Sequence, residues 1–207
     1  MTAAIIFHPL ATFLAGAVIA CLGIILLLSS CAAPNNSAED VTQYRQTLNG
    51  IQPSGLVPGS EAEKSAIETF KAFLQGIGNA NYVRENTSKA YATDAYLDDT
   101  LVVHRGAAEI EKYFLKTSAA MKSYQVTIED VSRSGDNYYI RWEMIFSAPA
   151  LSGGKPVHSV GISHVRFSPD GKVAMHKDFW DSGKNFYGHL PVVGGAIGFV
   201  RKRLEKD

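Results

Sequence analysis

The chain has 207 residues, 46% of them hydrophobic and 19% charged, and its 20 basic and 20 acidic side chains leave no formal net charge. A chain of this length buries one full core, and the charge balance gives no bulk electrostatic case for nucleic acid as a partner. Both cysteines, Cys21 and Cys31, fall within the first 31 residues, so the folded part carries neither a disulfide nor a thiolate metal site.

Residues 10–28 contain no charged side chain, and about 20 apolar residues suffice to cross a bilayer as a helix. Leu28-Ser29-Ser30-Cys31 follows, then the polar run Ala32-Ala33-Pro34-Asn35-Asn36-Ser37. A hydrophobic residue, two small ones and a cysteine in that order resemble a bacterial lipobox, which implies acylation of Cys31. No Lys or Arg precedes the run, a departure from the usual signal peptide, and an uncleaved membrane helix is the alternative for residues 1–31. Either reading places the protein at the cell envelope, with membrane lipid as a partner through the N-terminal anchor. Residues 32–59 hold Pro34, Pro53, Pro58, Gly50, Gly55 and Gly59 among polar residues. They read as a flexible linker, with one or two helical turns over 41–48.

A folded domain is expected over 60–182. Ser60 and Glu63 form a capping box, and Ala66, Ile67, Phe70, Phe73, Leu74 and Ile77 recur at helical spacing until Gly78. Residues 80–92 read as a shorter helix, 95–103 as a strand broken at Asp98-Asp99, and the stretch after Gly106 as a second amphipathic helix. The period then changes to two. Tyr124, Val126 and Ile128 alternate with polar residues, as do Ile140, Trp142, Met144 and Phe146, with turns at 134–137 and 152–156. Strands over 157–167 and 173–181 complete the series. Helices followed by hairpin-linked strands predict an α+β fold, a curved antiparallel sheet forming a cone closed by the N-terminal helices.

Alternation on the last strand puts His176, Asp178 and Trp180 on one face. Its surroundings resemble the nuclear transport factor 2-like superfamily, in its SnoaL-like and ketosteroid isomerase-like branch. The resemblance rests on three segments: Tyr91-Ala92-Thr93-Asp94-Ala95-Tyr96-Leu97-Asp98-Asp99, His164-Val165-Arg166-Phe167-Ser168-Pro169-Asp170-Gly171-Lys172-Val173, and Phe179-Trp180. It implies a cone-shaped pocket, with Asp99 at the position of the isomerases' proton-moving aspartate; a cap on nearby N–H groups is the other reading of Asp99. The isomerases' oxyanion partners are replaced, since Ser163 stands where their protonated aspartate would be, and Phe70 or Lys71 where their tyrosine would be. His176 and Asp178 are then expected as an acid or orienting pair, and Ser163, Trp180, Phe70 and Trp142 as ligand-binding residues. No metal-ligand spacing is evident, and no cofactor is expected. His158 and His164 are expected on the convex face, a surface the resemblance associates with homodimers.

Two functions follow as expectations: a membrane-tethered domain binding a small apolar or lipid-like ligand, or a cofactor-free lyase or isomerase with Asp99 as general base. The tail, 183–207, reads as a basic amphipathic segment. Val192, Val193, Ala196, Ile197, Phe199, Val200 and Leu204 are apolar, while Arg201, Lys202, Arg203 and Lys206 cluster at its end.

Overall fold

The computed structural model describes residues 37–206, so the lipobox-like segment with Cys31 and the apolar run 10–28 lie outside it. Helix α1 (Ser37–Gly50) opens the described chain with Glu39 and Asp40 in its first turn, acids suited to a helix N-terminus. The residues from Gln46 onward form a compact unit of their own.

In that unit the segment expected as linker is structured. Ser54 and Leu56 are buried, and Arg133 donates to the Leu56 carbonyl at 2.9 Å. Leu56 has a core to enter, which composition does not reveal.

Helix α2 (Glu61–Gly76) starts at Ser60, whose hydroxyl accepts from the Glu63 N–H at 3.2 Å. The returning half of the expected capping box differs. The Glu63 carboxylate takes the N–H of Gly59 at 2.5 Å, because the Ser60 N–H is already bonded to Val57. It also accepts from Tyr138 at 2.9 Å and pairs with Arg133. Helix α3 (Ala80–Ala90) is capped by Asn79 and leads directly into β1 (Tyr91–Asp98). After a tight loop come β2 (Val103–Arg105) and helix α4 (Ala107–Ala120). The strands β3 (Ser123–Ser134), β4 (Asn137–Ser147), β5 (Val157–Phe167) and β6 (Val173–Trp180) follow.

The six strands make one open sheet in the order β2-β1-β6-β5-β4-β3. Hairpin neighbours are antiparallel as expected, but β1 and β6 run parallel. These two strands lie far apart in sequence and are joined through the rest of the domain rather than by a hairpin, which frees their direction. Phe70, Phe73 and Leu74 of α2, Ile110 and Phe114 of α4, and Tyr138, Ile140 and Val165 of the sheet share one apolar core.

The tail divides into two parts. Helix α5 (Ser182–Asn185) and a 3₁₀ turn at Tyr187–His189 return to the domain, where Phe186 and Leu190 pack on Phe146, Ala148, Leu151 and Val157. Helix α6 (Val193–Leu204) then buries no residue. Among the described residues, no helix is long and apolar enough to cross a membrane.

Candidate functional site

Between the concave sheet face and helix α4 lies a cavity of about 760 Å³, within the size range of small-molecule sites. Leu74, Ile77, Phe114, Val126, Met144 and Phe146 supply apolar walls, and Asp99, Tyr113, Ser163, His176 and Asp178 supply polar groups. Trp142 and Trp180 also line it.

Two hydrogen-bonded clusters are present. The first is built on β5 and β6, where Ser163 and Asp178 face one another in register. His176 is fully buried. Its Nε2 lies 2.7 Å from Asp178 Oδ1 and 3.1 Å from Ser163 Oγ, and its Nδ1 lies 2.8 Å from the Tyr91 hydroxyl. With Tyr91 donating to Nδ1, the imidazole donates through Nε2. Ser163 donates to Asp178 at 2.5 Å and accepts from the Trp142 indole N–H at 3.0 Å. Asp178 Oδ1 therefore receives two donors, while no hydrogen bond to Oδ2 occurs among the described residues. Burial, then the Asp178 charge, raises the Tyr91 phenol well above its ordinary range.

The second cluster sits in the loop after β1. Asp99 Oδ1 accepts from the N–H groups of Leu101 and Val102, both at 2.9 Å, and Oδ2 accepts from the Tyr113 hydroxyl of α4. The Trp180 indole donates to the Asp99 carbonyl at 2.8 Å. Asp99 thus caps a loop and also lines the cavity. Burial raises its carboxyl above the ordinary carboxylate range against these bonds, and the Asp178 charge adds to the rise. Tyr113 is raised by burial and by the Asp99 carboxylate.

Asp99, His176, Asp178, Ser163, Trp142 and Trp180 thus lie on one cavity, but Phe70 does not belong to its wall. It is fully buried, edge-on to His176 with ring centroids 5.0 Å apart. Its face of α2 points into the core, so it supports the imidazole from behind. Tyr91 and Tyr113 are the polar partners that sequence reasoning did not assign. Each meets its partner across the fold, and no local spacing signals that contact. His158 is exposed on the outer face. His164 is instead buried, 3.0 Å from the Asn137 side-chain oxygen, and near it Arg166 reaches the Leu48 carbonyl at 2.8 Å. Part of the convex face is therefore covered by the chain itself. Among the described residues no group of three His, Cys, Asp or Glu is placed to hold a metal ion.

Comparison with known proteins agrees with this architecture. The family model described as SnoaL-like domain matches residues 69–176. An LEH-like epoxide hydrolase of M. tuberculosis superposes with a TM-score of 0.50 at 16% identity, over 68% of this chain and 98% of that one. An NTF2-like protein of Anabaena variabilis ATCC 29413 gives 0.51 at 12% identity, over 63% and 98%. A protein of Catenulispora acidiphila DSM 44928 with a ketosteroid isomerase-like fold, solved with trimethylamine, gives 0.50 at 16%, over 66% and 96%. These identities establish likeness of fold alone. No curated protein sequence matches the chain.

Proposed function

The chain belongs to the SnoaL-like domain family, and from that premise we propose that it is a membrane-tethered domain whose cavity binds a small apolar or lipid-like molecule carrying one oxygen function. The observation behind this reading is a largely apolar cavity of about 760 Å³ onto which the Asp99–Tyr113 and Ser163–His176–Asp178 clusters are brought. Apolar walls supply most of the binding free energy, and a few placed polar groups set orientation. Every hydroxyl of the two clusters is engaged at rest: Tyr113 with Asp99, Ser163 with Asp178, Tyr91 with His176. Among the described residues these hydroxyls offer no free donor to a developing oxyanion, which favours binding over turnover. His104, whose Nε2 is buried without a hydrogen-bond partner among the described residues, also lines the cavity.

A test is built into the chain, since Trp142 and Trp180 are its two tryptophans and both line the cavity. Titration with cyclic ketones, alcohols and epoxides should change the intrinsic fluorescence saturably. Filling the wall with Val126→Phe should weaken binding at least ten-fold. A flat response across the whole probe set would sink the proposal.

One observation favours a second reading, cofactor-free proton transfer. Asp99 has both oxygens occupied by donors, whereas Asp178 keeps Oδ2 without one among the described residues. In this reading Asp178 is the base, oriented by His176 and Ser163. Tyr113, held by Asp99 at rest, becomes the hydrogen-bond donor when its hydroxyl turns from Asp99 to the substrate. It exchanges the roles that sequence gives to Asp99 and Asp178. A bound ketone should then exchange its α-hydrogens with D₂O, and Asp178→Asn should abolish exchange while leaving affinity within a few-fold. Equal exchange by wild type and Asp178→Asn leaves binding as the function.

A further inference from the structure

We propose that α6 is an interfacial helix that lies on an anionic lipid surface, next to the rim of the cavity. The inference is independent of what the cavity holds. On α6, Val193, Ile197, Val200 and Leu204 fall at i, i+4, i+7 and i+11, one stripe along the helix, with Ala196 beside it. Most of the stripe is open: Val193 is 43%, Val200 55% and Leu204 75% exposed, Phe199 further round the helix is 61% exposed, and Ile197 is partly buried. Exposed apolar side chains in such a row mark a contact surface.

The helix is nevertheless held in place. Gly194 approaches the backbone of Gly188 so closely that a Cβ there would lie 2.2 Å from the Gly188 oxygen. Gly188 lies in the 3₁₀ turn whose neighbours Phe186 and Tyr187 line the cavity. Gly194 thus faces the domain. At 3.6 residues per turn the stripe centres about a quarter-turn round the helix from it, with Ile197 nearest to the domain.

The charges identify the occupant. Arg201 and Arg203 project on either side of the stripe, and Lys202 and Lys206 add to them, against Glu205 and Asp207. Arg201 and Lys202 take part in no ion pair among the described residues, and Arg203 stacks on the Phe199 ring at 5.5 Å. Arginines flanking an apolar stripe can bury their stems beside inserted side chains and keep their guanidinium groups at headgroup level. Anionic phosphates supply the missing counter-charge. A second copy of the chain would bring the same cations to the contact and only the same two acids. Residues 10–28, uncharged and long enough to span a bilayer, add a sequence reason for the domain to meet such a surface.

The test uses the full chain with Cys21→Ser, Cys31→Ser and Val200→Cys, the new thiol carrying an environment-sensitive fluorophore. The protein is placed in vesicles of phosphatidylcholine alone or with phosphatidylglycerol. On the anionic vesicles the emission should shift to the blue, and quenching by neutral acrylamide should fall several-fold. High salt should reverse both effects, as should replacing Arg201, Lys202 and Arg203 together by Gln, with the melting temperature unchanged because all three are exposed. A label equally accessible on both vesicle types overturns the proposal. Shielding that already appears on phosphatidylcholine and grows with protein density also overturns it and assigns the stripe to a second copy.

Discussion

Asp99 and Asp178 share a cavity but have different surroundings, and that difference decides what each substitution should do. Asp99→Asn keeps an oxygen for the Leu101 and Val102 N–H groups and lets the amide donate to Tyr113 in place of the bond it received. Burial raises the Asp99 carboxyl, so the charged form opposes folding at neutral pH and that opposition fades as pH falls through the raised value. The Asn variant should therefore melt at or slightly above wild type at pH 7, with a gain of about 0–1 kcal/mol, and should bind oxygenated probes more weakly. Chemical denaturation checks this; a loss above about 2 kcal/mol would make Asp99 purely a structural residue. At this scale the sequence shows one side of each contact. Alternation places His176 and Asp178 together because they belong to one strand. Tyr113 reaches Asp99 from another element, and Phe70 shares the face of α2 with the cavity-lining Leu74 and Ile77 but lies one turn earlier, buried against His176. Those two facts are set by packing.

Elements were legible where one period persists. The alternation through β4, β5 and β6 follows from a sheet with one face on a core, and the helical spacing of α2 ends in Gly76–Gly78 as its glycines require. The parallel β1–β6 pair and the structured 54–56 segment were not legible, since both depend on which distant partner a stretch meets. Glu63 shows the same limit within a correctly placed helix start. Its side chain joins the start of α2 to β3 and β4 through Arg133 and Tyr138. Burial pushes its carboxyl up, but the bonds from Gly59, Tyr138 and Arg133 prevail and hold it below the usual range. Its stabilisation is thus complete above the ordinary carboxylate pKa and is lost as pH falls through the depressed one. Glu63→Gln should lose about 1–3 kcal/mol at pH 7, with the two proteins converging toward pH 3. A gap independent of pH in urea titrations would rule out the ionic contribution.

For the molecule as a whole, His164 sets an acid limit. Burial, and then the neighbouring Arg166 charge, lower its imidazole from the ordinary 6.5 to about 4. Between those values the unfolded chain binds a proton that the folded chain refuses, so stability is full above about pH 6.5 and declines toward pH 4. The decline attributable to this residue is on the order of 2 kcal/mol. His164→Gln, which can still bond Asn137, should flatten the wild-type slope over that window, while Asp99 titrates in the opposite sense in both proteins. Parallel slopes would refute the assignment. Composition foretold a single core, and residues 46–206 have one main cluster. The position of His164 on the outer face was also legible from parity. Its burial was not, because its contacts with the Asn137 side chain and the Tyr139 ring come from the neighbouring strand.

Gly161 stands directly opposite Trp142 in the sheet, and a Cβ at that position would lie 2.4 Å from the indole. The ring lies where a side chain would otherwise be, and from there its N–H reaches Ser163. A residue without functional atoms therefore governs the tilt of an aromatic plane and, through it, the aim of a hydroxyl. Relatives that differ by one methyl group at this point would select ligands of another breadth while their acids and imidazole stayed unchanged. Selectivity in such a scaffold diversifies most readily through the bulk of neutral residues.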